Sequence, residues 1–92
     1  METLLSKFKK SIGVFTSDTT MDAYYQQFLD LARADLLSDD ISDTVLNEDI
    51  GVSCVILYAE ALMNKTDIAT NPTISLLRNK LANMTKGERV IV

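Results

Sequence analysis

NEDIGVSCVILYAEALMN, residues 47–64, decides the fold. Taken at 3.6 residues per turn, Val52, Val55, Ile56, Ala59, Leu62 and Met63 make one stripe at spacings of three and four, the pattern of a helix with an apolar face. Cys54, Leu57, Tyr58 and Ala61 fill much of what remains, and only Ser53 and Glu60 interrupt. A helix apolar on nearly every side must be enclosed on every side. A chain of 92 residues supplies few elements to enclose it, so part of this surface is expected to meet a second copy or another protein. Asn47 stands where an N-cap belongs, with Glu48 and Asp49 in the positive first turn. Gly51, one turn in, lowers helix propensity by about 1 kcal/mol. Close approach of another backbone would explain it, as would a slack first turn.

Working outward, three more helices are predicted. Residues 2–12 place Leu4, Leu5, Phe8 and Ile12 on one face, and Gly13 falls where a left-handed residue stops a helix. Residues 20–37 repeat Met21, Tyr24/Tyr25, Phe28, Leu31/Ala32 and Leu36 inward, with Gln26, Gln27, Asp30, Arg33 and Asp35 toward water. Thr19 is the expected N-cap there, and Asp22 three residues later completes a capping-box pattern. Residues 38–44, SDDISDT, form an acidic turn leading to a short helical piece at 44–46. The central helix spans about 48–64. Asn71-Pro72 opens the last one, since proline at the first helical position loses no useful donor. It is expected to run over 72–84, with Ile74, Leu77, Leu81 and Met84 inward and Arg78 and Lys80 outward, before Gly87 and an extended, β-prone tail at 87–92. The expected fold is a single all-α domain, a small bundle of four to five helices with an extended C-terminal tail.

A chain this short hides only ~60–65% of its unfolded surface, but 47% hydrophobic and 24% charged residues are too apolar for disorder. A net charge of −4 argues against a general nucleic-acid binder, which needs a dense basic surface. The charges are segregated. Residues 18–49 hold nine acids and one base, Arg33, whereas residues 65–92 hold five bases and two acids. Lys7, Lys9 and Lys10 make the other end basic as well. Ends of one sign and a middle of the other suit head-to-tail contact between identical subunits; the alternative is solvated helix faces with no joint purpose. Candidate interface residues are therefore Lys7, Lys9 and Lys10, the acidic turn Asp39, Asp40 and Asp43, the basic group Arg78, Lys80, Lys86 and Arg89, and the tail Val90, Ile91 and Val92, which has the composition to add a strand to a partner.

Catalysis has little to work with. There is no histidine, so acid–base work would fall to a tuned carboxylate, lysine or tyrosine. Cys54, the only cysteine, lies among apolar residues and cannot form an intrachain disulfide. The acidic turn fails the calcium-loop spacing, because counting from Asp39 the third position is Ile41 and the glycine position is Thr44. No phosphate cradle, zinc set or nucleophile elbow is present. The serine motif of acyl carrier proteins is absent around Ser42 and Asp43, and no helix carries the polar, basic face of a DNA reader. No catalytic residue, cofactor or metal is expected. Nor is a signal peptide or membrane span, since the longest uninterrupted apolar run, at 55–59, is short.

The order of these features resembles the small helical head-tail connector (adaptor, DNA-packaging) proteins of long-tailed phages and prophages. Leu4-Leu5-Ser6-Lys7-Phe8-Lys9-Lys10-Ser11-Ile12-Gly13-Val14 is similar to the family's short first helix, which ends in a hydrophobic-Gly-hydrophobic step. A helix like 21–37, an Asp/Ser-rich turn and an apolar helix like 51–64 follow in the same order. Ser75-Leu76-Leu77-Arg78-Asn79-Lys80-Leu81 resembles the final short helix. The resemblance implies a non-enzymatic virion subunit, made in the host cytoplasm. It would form a homo-oligomeric ring, commonly of twelve copies, that docks on the portal protein and offers a platform to the tail or to a tail-side stopper or completion protein. DNA would pass through the ring without sequence-specific binding. The alternative is a small phage or bacterial regulator, of antirepressor or antitoxin type, acting by protein–protein binding.

Overall fold

The computed structural model describes residues 3–15, 19–68 and 70–89. Among these the chain is all-α, with no strand: α1 Leu4–Ser11, α2 Asp22–Ser38, α3 Asp43–Leu46, α4 Asp49–Met63 and α5 Pro72–Arg89. Its shortest dimension is 17 Å, about two helix layers at the 8–10 Å spacing of packed helices.

Helix ends follow local chemistry. Thr3 caps α1, its hydroxyl accepting from Ser6 N at 3.1 Å. The helix stops at Gly13, whose φ is +85°. There Gly13 N donates to Lys10 O at 3.1 Å and Val14 N to Lys9 O at 2.8 Å, the paired bonds of a Schellman cap. The same pair closes α4, from Lys65 N to Leu62 O at 3.2 Å and Thr66 N to Ala61 O at 3.0 Å, with a lysine, φ +57°, in the left-handed position. Asn71 opens α5 by accepting from Thr73 N and Ile74 N at 3.0 and 3.1 Å, as the Asn-Pro pair predicts.

Two expected caps are displaced. α2 starts at Asp22 with Met21 as N-cap and no side-chain bond; Thr19 contributes only its carbonyl, which accepts from Asp22 N at 3.1 Å. Asp22 instead meets Lys9, a charged partner that outweighs the capping box. Likewise Glu48, not Asn47, occupies the N-cap of α4, because the Asn47 side chain accepts from Arg33 at 3.2 Å. The last helix is longer than predicted. It continues through Gly87 to Arg89, into the stretch read as an extended tail, while Val90, Ile91 and Val92 lie outside the described residues.

The extension of α5 is anchored by Thr85, 1% exposed. Its hydroxyl donates to Leu81 O at 2.9 Å and accepts from Ser42 N at 3.1 Å, tying α5 to the start of α3. Thr85→Val keeps the shape but strands the Ser42 N–H. A loss of about 1–2 kcal/mol is expected, read by urea denaturation with an unchanged m-value.

The core joins Phe8 of α1, Leu29, Ala32 and Leu36 of α2, Val45 and Leu46 of α3, Cys54, Val55 and Ala59 of α4, and Ile74 and Leu81 of α5. α4 packs on all four other helices, most extensively on α2. Here the structure corrects the opening expectation. Along the whole of α4 only Asp49 and Ser53 are exposed; Ile50, Val52, Ile56, Leu57, Leu62 and Met63 are half-buried and the rest of its apolar residues are buried. One chain therefore covers nearly all of this helix. α1 and α3 are what the expectation undervalued: short as they are, each lays buried side chains against it.

The Gly51 question is also answered. A Cβ there would sit 2.3 Å from Val45 O and 2.6 Å from Leu46 Cα, so α3 crosses α4 backbone to backbone at this point.

Candidate functional site

Apart from Phe15 and Leu76, the uncovered large apolar side chains among the described residues lie along α2. Its apolar positions form two adjacent rows. Leu29, Ala32 and Leu36 are buried, whereas Met21, Tyr24 and Leu31 are 46%, 43% and 52% exposed. The predicted inward set thus splits, because α1 and α4 close over one side of an apolar arc too wide for them. The exposed row is rigid at its aromatic end. Tyr24 stands edge-on to Phe28 at 5.0 Å and to Tyr25 at 5.8 Å, and Tyr25 stands edge-on to buried Phe8 at 6.2 Å. Such stacked edges hold an exposed tyrosine in place, the kind of side chain that anchors protein interfaces. On α5, Leu76 is 63% exposed while Leu77 turns inward. Sequence reasoning missed these residues as surface. The available signal was the doubling of apolar positions (Tyr24/Tyr25, Leu31/Ala32, Leu76/Leu77), which leaves one member of each pair outside.

The candidate charges are largely joined within the chain. Arg78 pairs with Asp39 and lies 4.0 Å from Asp35, spanning from α5 to α2, and its guanidinium stands 5.7 Å over the Tyr58 ring. Asp35 also accepts from the Tyr58 hydroxyl. Arg78 and Asp35, both expected to face water, are thus half-buried members of one cluster. Lys9 bonds Asp22 at 2.7 Å, and Arg33 bonds Asp43. Lys10 and Asp40 also have partners, and Asp40 takes a left-handed φ of +65° at the end of α2. Lys7 is half-buried, and Lys80 and Lys86 are exposed and make no ion pair among the described residues. Arg89 is helical.

Compared with protein-family models, curated proteins and solved structures, the chain matches none.

A cleft of about 340 Å³ opens between α1 and the approach to α2, lined by Leu5, Lys9, Lys10, Val14, Phe15 and Asp22 among others. The carboxylate that lines it among the described residues, Asp22, is bonded to Lys9. Among the described residues no three metal-ligating side chains lie together, and no helix is long and apolar enough to cross a membrane.

Burial pushes the Cys54 thiol up to about 11, which leaves it protonated and unreactive at neutral pH. Burial, then the hydrogen bond to Asp35 and its charge, push the Tyr58 phenol up to about 12. Both acids hold their protons more tightly folded than unfolded, where they titrate near 9 and 10. The stability they contribute is complete below about pH 9 and is lost as pH rises toward 12. Tyr58→Phe is expected to lose about 1 kcal/mol at pH 7 and to flatten the alkaline fall between pH 10 and 12. Urea midpoints taken across that range check it; an unaltered alkaline limb would refute the assignment.

Proposed function

We propose that this chain is a structural subunit of a phage head-tail connector, a ring that docks on the portal and carries the tail-side proteins. The observation that carries the reading is a thin helical bundle whose large apolar side chains, Tyr24, Leu31 and Leu76, stay outside. Isolated exposed leucines are ordinary, but Leu31 in one row with Met21 and a braced tyrosine marks a contact surface. The order of elements supports the same reading: a short basic helix ending at Gly13, a long helix, an acidic turn, an apolar central helix and a final helix. The subunit acts by position and surface complementarity. The internal ion pairs Arg78–Asp39, Arg33–Asp43 and Lys9–Asp22 stiffen it as a building block. Lys80 and Lys86 remain the cations offered to neighbours. A net negative chain around a channel lets DNA pass without adhering.

Electron microscopy and native mass spectrometry of the purified chain, alone and with the portal protein of the same genome, test the reading. Rings, either free or formed on the portal, are expected. A monomer that ignores the portal and instead captures a repressor or toxin encoded beside it would transfer the protein to the regulator class.

A further inference from the structure

We infer that the exposed face of α2 docks antiparallel on the exposed face of α5 of a second copy. This deepens the ring reading by naming the contact that would build it. On α2, Tyr24, Gln27, Leu31 and Ala34 follow one another at spacings of three, four and three, and all are exposed. On α5, Leu76, Lys80, Asn83 and Gly87 do the same at four, three and four, again all exposed. Both rows have the alternating three and four spacing at which a helix can pack along a partner helix. The two helices, 17 and 18 residues long, match in length.

Charge selects the partner. Two α2 faces brought together would oppose Asp30 to Asp30, while Arg33, the only base on each helix, is already bonded to Asp43. The α5 face instead brings Lys80 and Lys86, exposed and without an ion pair among the described residues, toward Asp30. Size selects the direction. Antiparallel, Tyr24 falls opposite Gly87, Gln27 opposite Asn83, Leu31 beside the Lys80 stem and Ala34 opposite Leu76, so large meets small at both ends and two amides pair between. Parallel, Tyr24 would meet Leu76 and Ala34 would meet Gly87, crowding one end and leaving the other empty. Gly87 adds an independent mark. A Cβ there would touch nothing among the described residues, so no packing seen within them requires a glycine in this helix, whereas a tyrosine seated from outside does. The contact uses two different surfaces of each chain, so it propagates from copy to copy as a ring demands.

The test uses cysteines at the amide pair, which spares the apolar anchors. Cys54 is buried and stays silent, and Ser53→Cys on the exposed side of α4 sets the collisional background. With a short bis-maleimide, Gln27→Cys mixed with Asn83→Cys is expected to give a covalent dimer at several times that background, while each variant alone stays monomeric. The double variant is expected to give a ladder of multimers that Leu31→Asp removes, with circular dichroism reporting intact helicity. Cross-linking of Gln27→Cys to itself, or a mixture no better than background, would overturn the contact. Portal binding is scored separately: a chain that binds the portal without the ladder loses this contact only, and a ladder without portal binding loses the connector reading only.

Discussion

Gly51→Ala is expected to destabilise the fold by about 3 kcal/mol, although alanine is the better helix former. In an open helix this exchange gains up to about 1 kcal/mol. At position 51 the added methyl carbon would lie 2.3 Å from Val45 O and 2.6 Å from Leu46 Cα, both backbone atoms that no rotamer change can move. α3 must then shift bodily, and it is held from two sides. Ser42 caps it and donates its N–H to Thr85 at 3.1 Å, and Val45 and Leu46 are buried in the core. Displacing them opens a void on one side while straining the other, which places the loss at or above the upper end of the ~1–3 kcal/mol typical of overpacking. For a chain of this size the total is roughly 5–14 kcal/mol, and the melting temperature is expected to fall by about 10–20 °C. Gly87→Ala is the matched control, because its Cβ would meet nothing among the described residues; the isolated subunit is expected to gain a few tenths to about 1 kcal/mol. Thermal melts of the two variants should move in opposite directions. A Gly51→Ala protein as stable as the parent would mean that α3 does not cross α4 here.

The contrast between these glycines shows how much of the fold was legible in the sequence. Gly51 disagreed with its helix, which left a backbone neighbour and a slack first turn both open; the structure shows the neighbour, α3, which no local pattern had named. Gly13 and Asn71-Pro72 were read correctly because a cap depends on residues within one turn. The caps at Thr19 and Asn47 were misplaced because distant charges, Lys9 and Arg33, recruited Asp22 and Asn47 for other bonds. The same reason limited the interface reading. Composition revealed opposite charge zones, yet whether Arg78 meets Asp39 of its own chain or of a neighbour depends on the packing of α5 beside α2. The surplus of apolar surface was also real but assigned to the wrong helix. The central stretch is the most apolar, and the bundle closes around it for that reason, leaving the remainder along α2, at Phe15 and at Leu76.

Phe8→Ala is expected to have the second large effect, about 3–4 kcal/mol, and to act on one end of the molecule. Phe8 is the only fully buried residue of α1; Leu4, Leu5 and Ile12 are half-buried around it. An eight-residue helix is far below the length that is stable alone in water, so α1 exists because this one ring is seated in the core, edge-on to Tyr25. Removing the ring leaves a cavity beside Tyr25 and removes the first support of the chain of rings that runs out to Tyr24. The Lys9–Asp22 bond, with side chains 12% and 29% exposed, cannot hold the helix by itself, since ion pairs near the surface contribute about 0–1 kcal/mol. The expected outcome is a protein in which α1 exchanges its amide hydrogens rapidly while α2, α4 and α5 keep their protection, a local opening that precedes global unfolding. Uniform loss of protection across all helices would show instead that α1 is an integral part of the single cooperative core. The functional consequence follows from position. α1 carries Lys7, Lys9 and Lys10 and one wall of the cleft at Phe15, so the variant should retain the α2-to-α5 contact between copies if Tyr24 keeps its place on Phe28, and lose it if the tyrosine depends on Tyr25 and the Phe8 ring behind it.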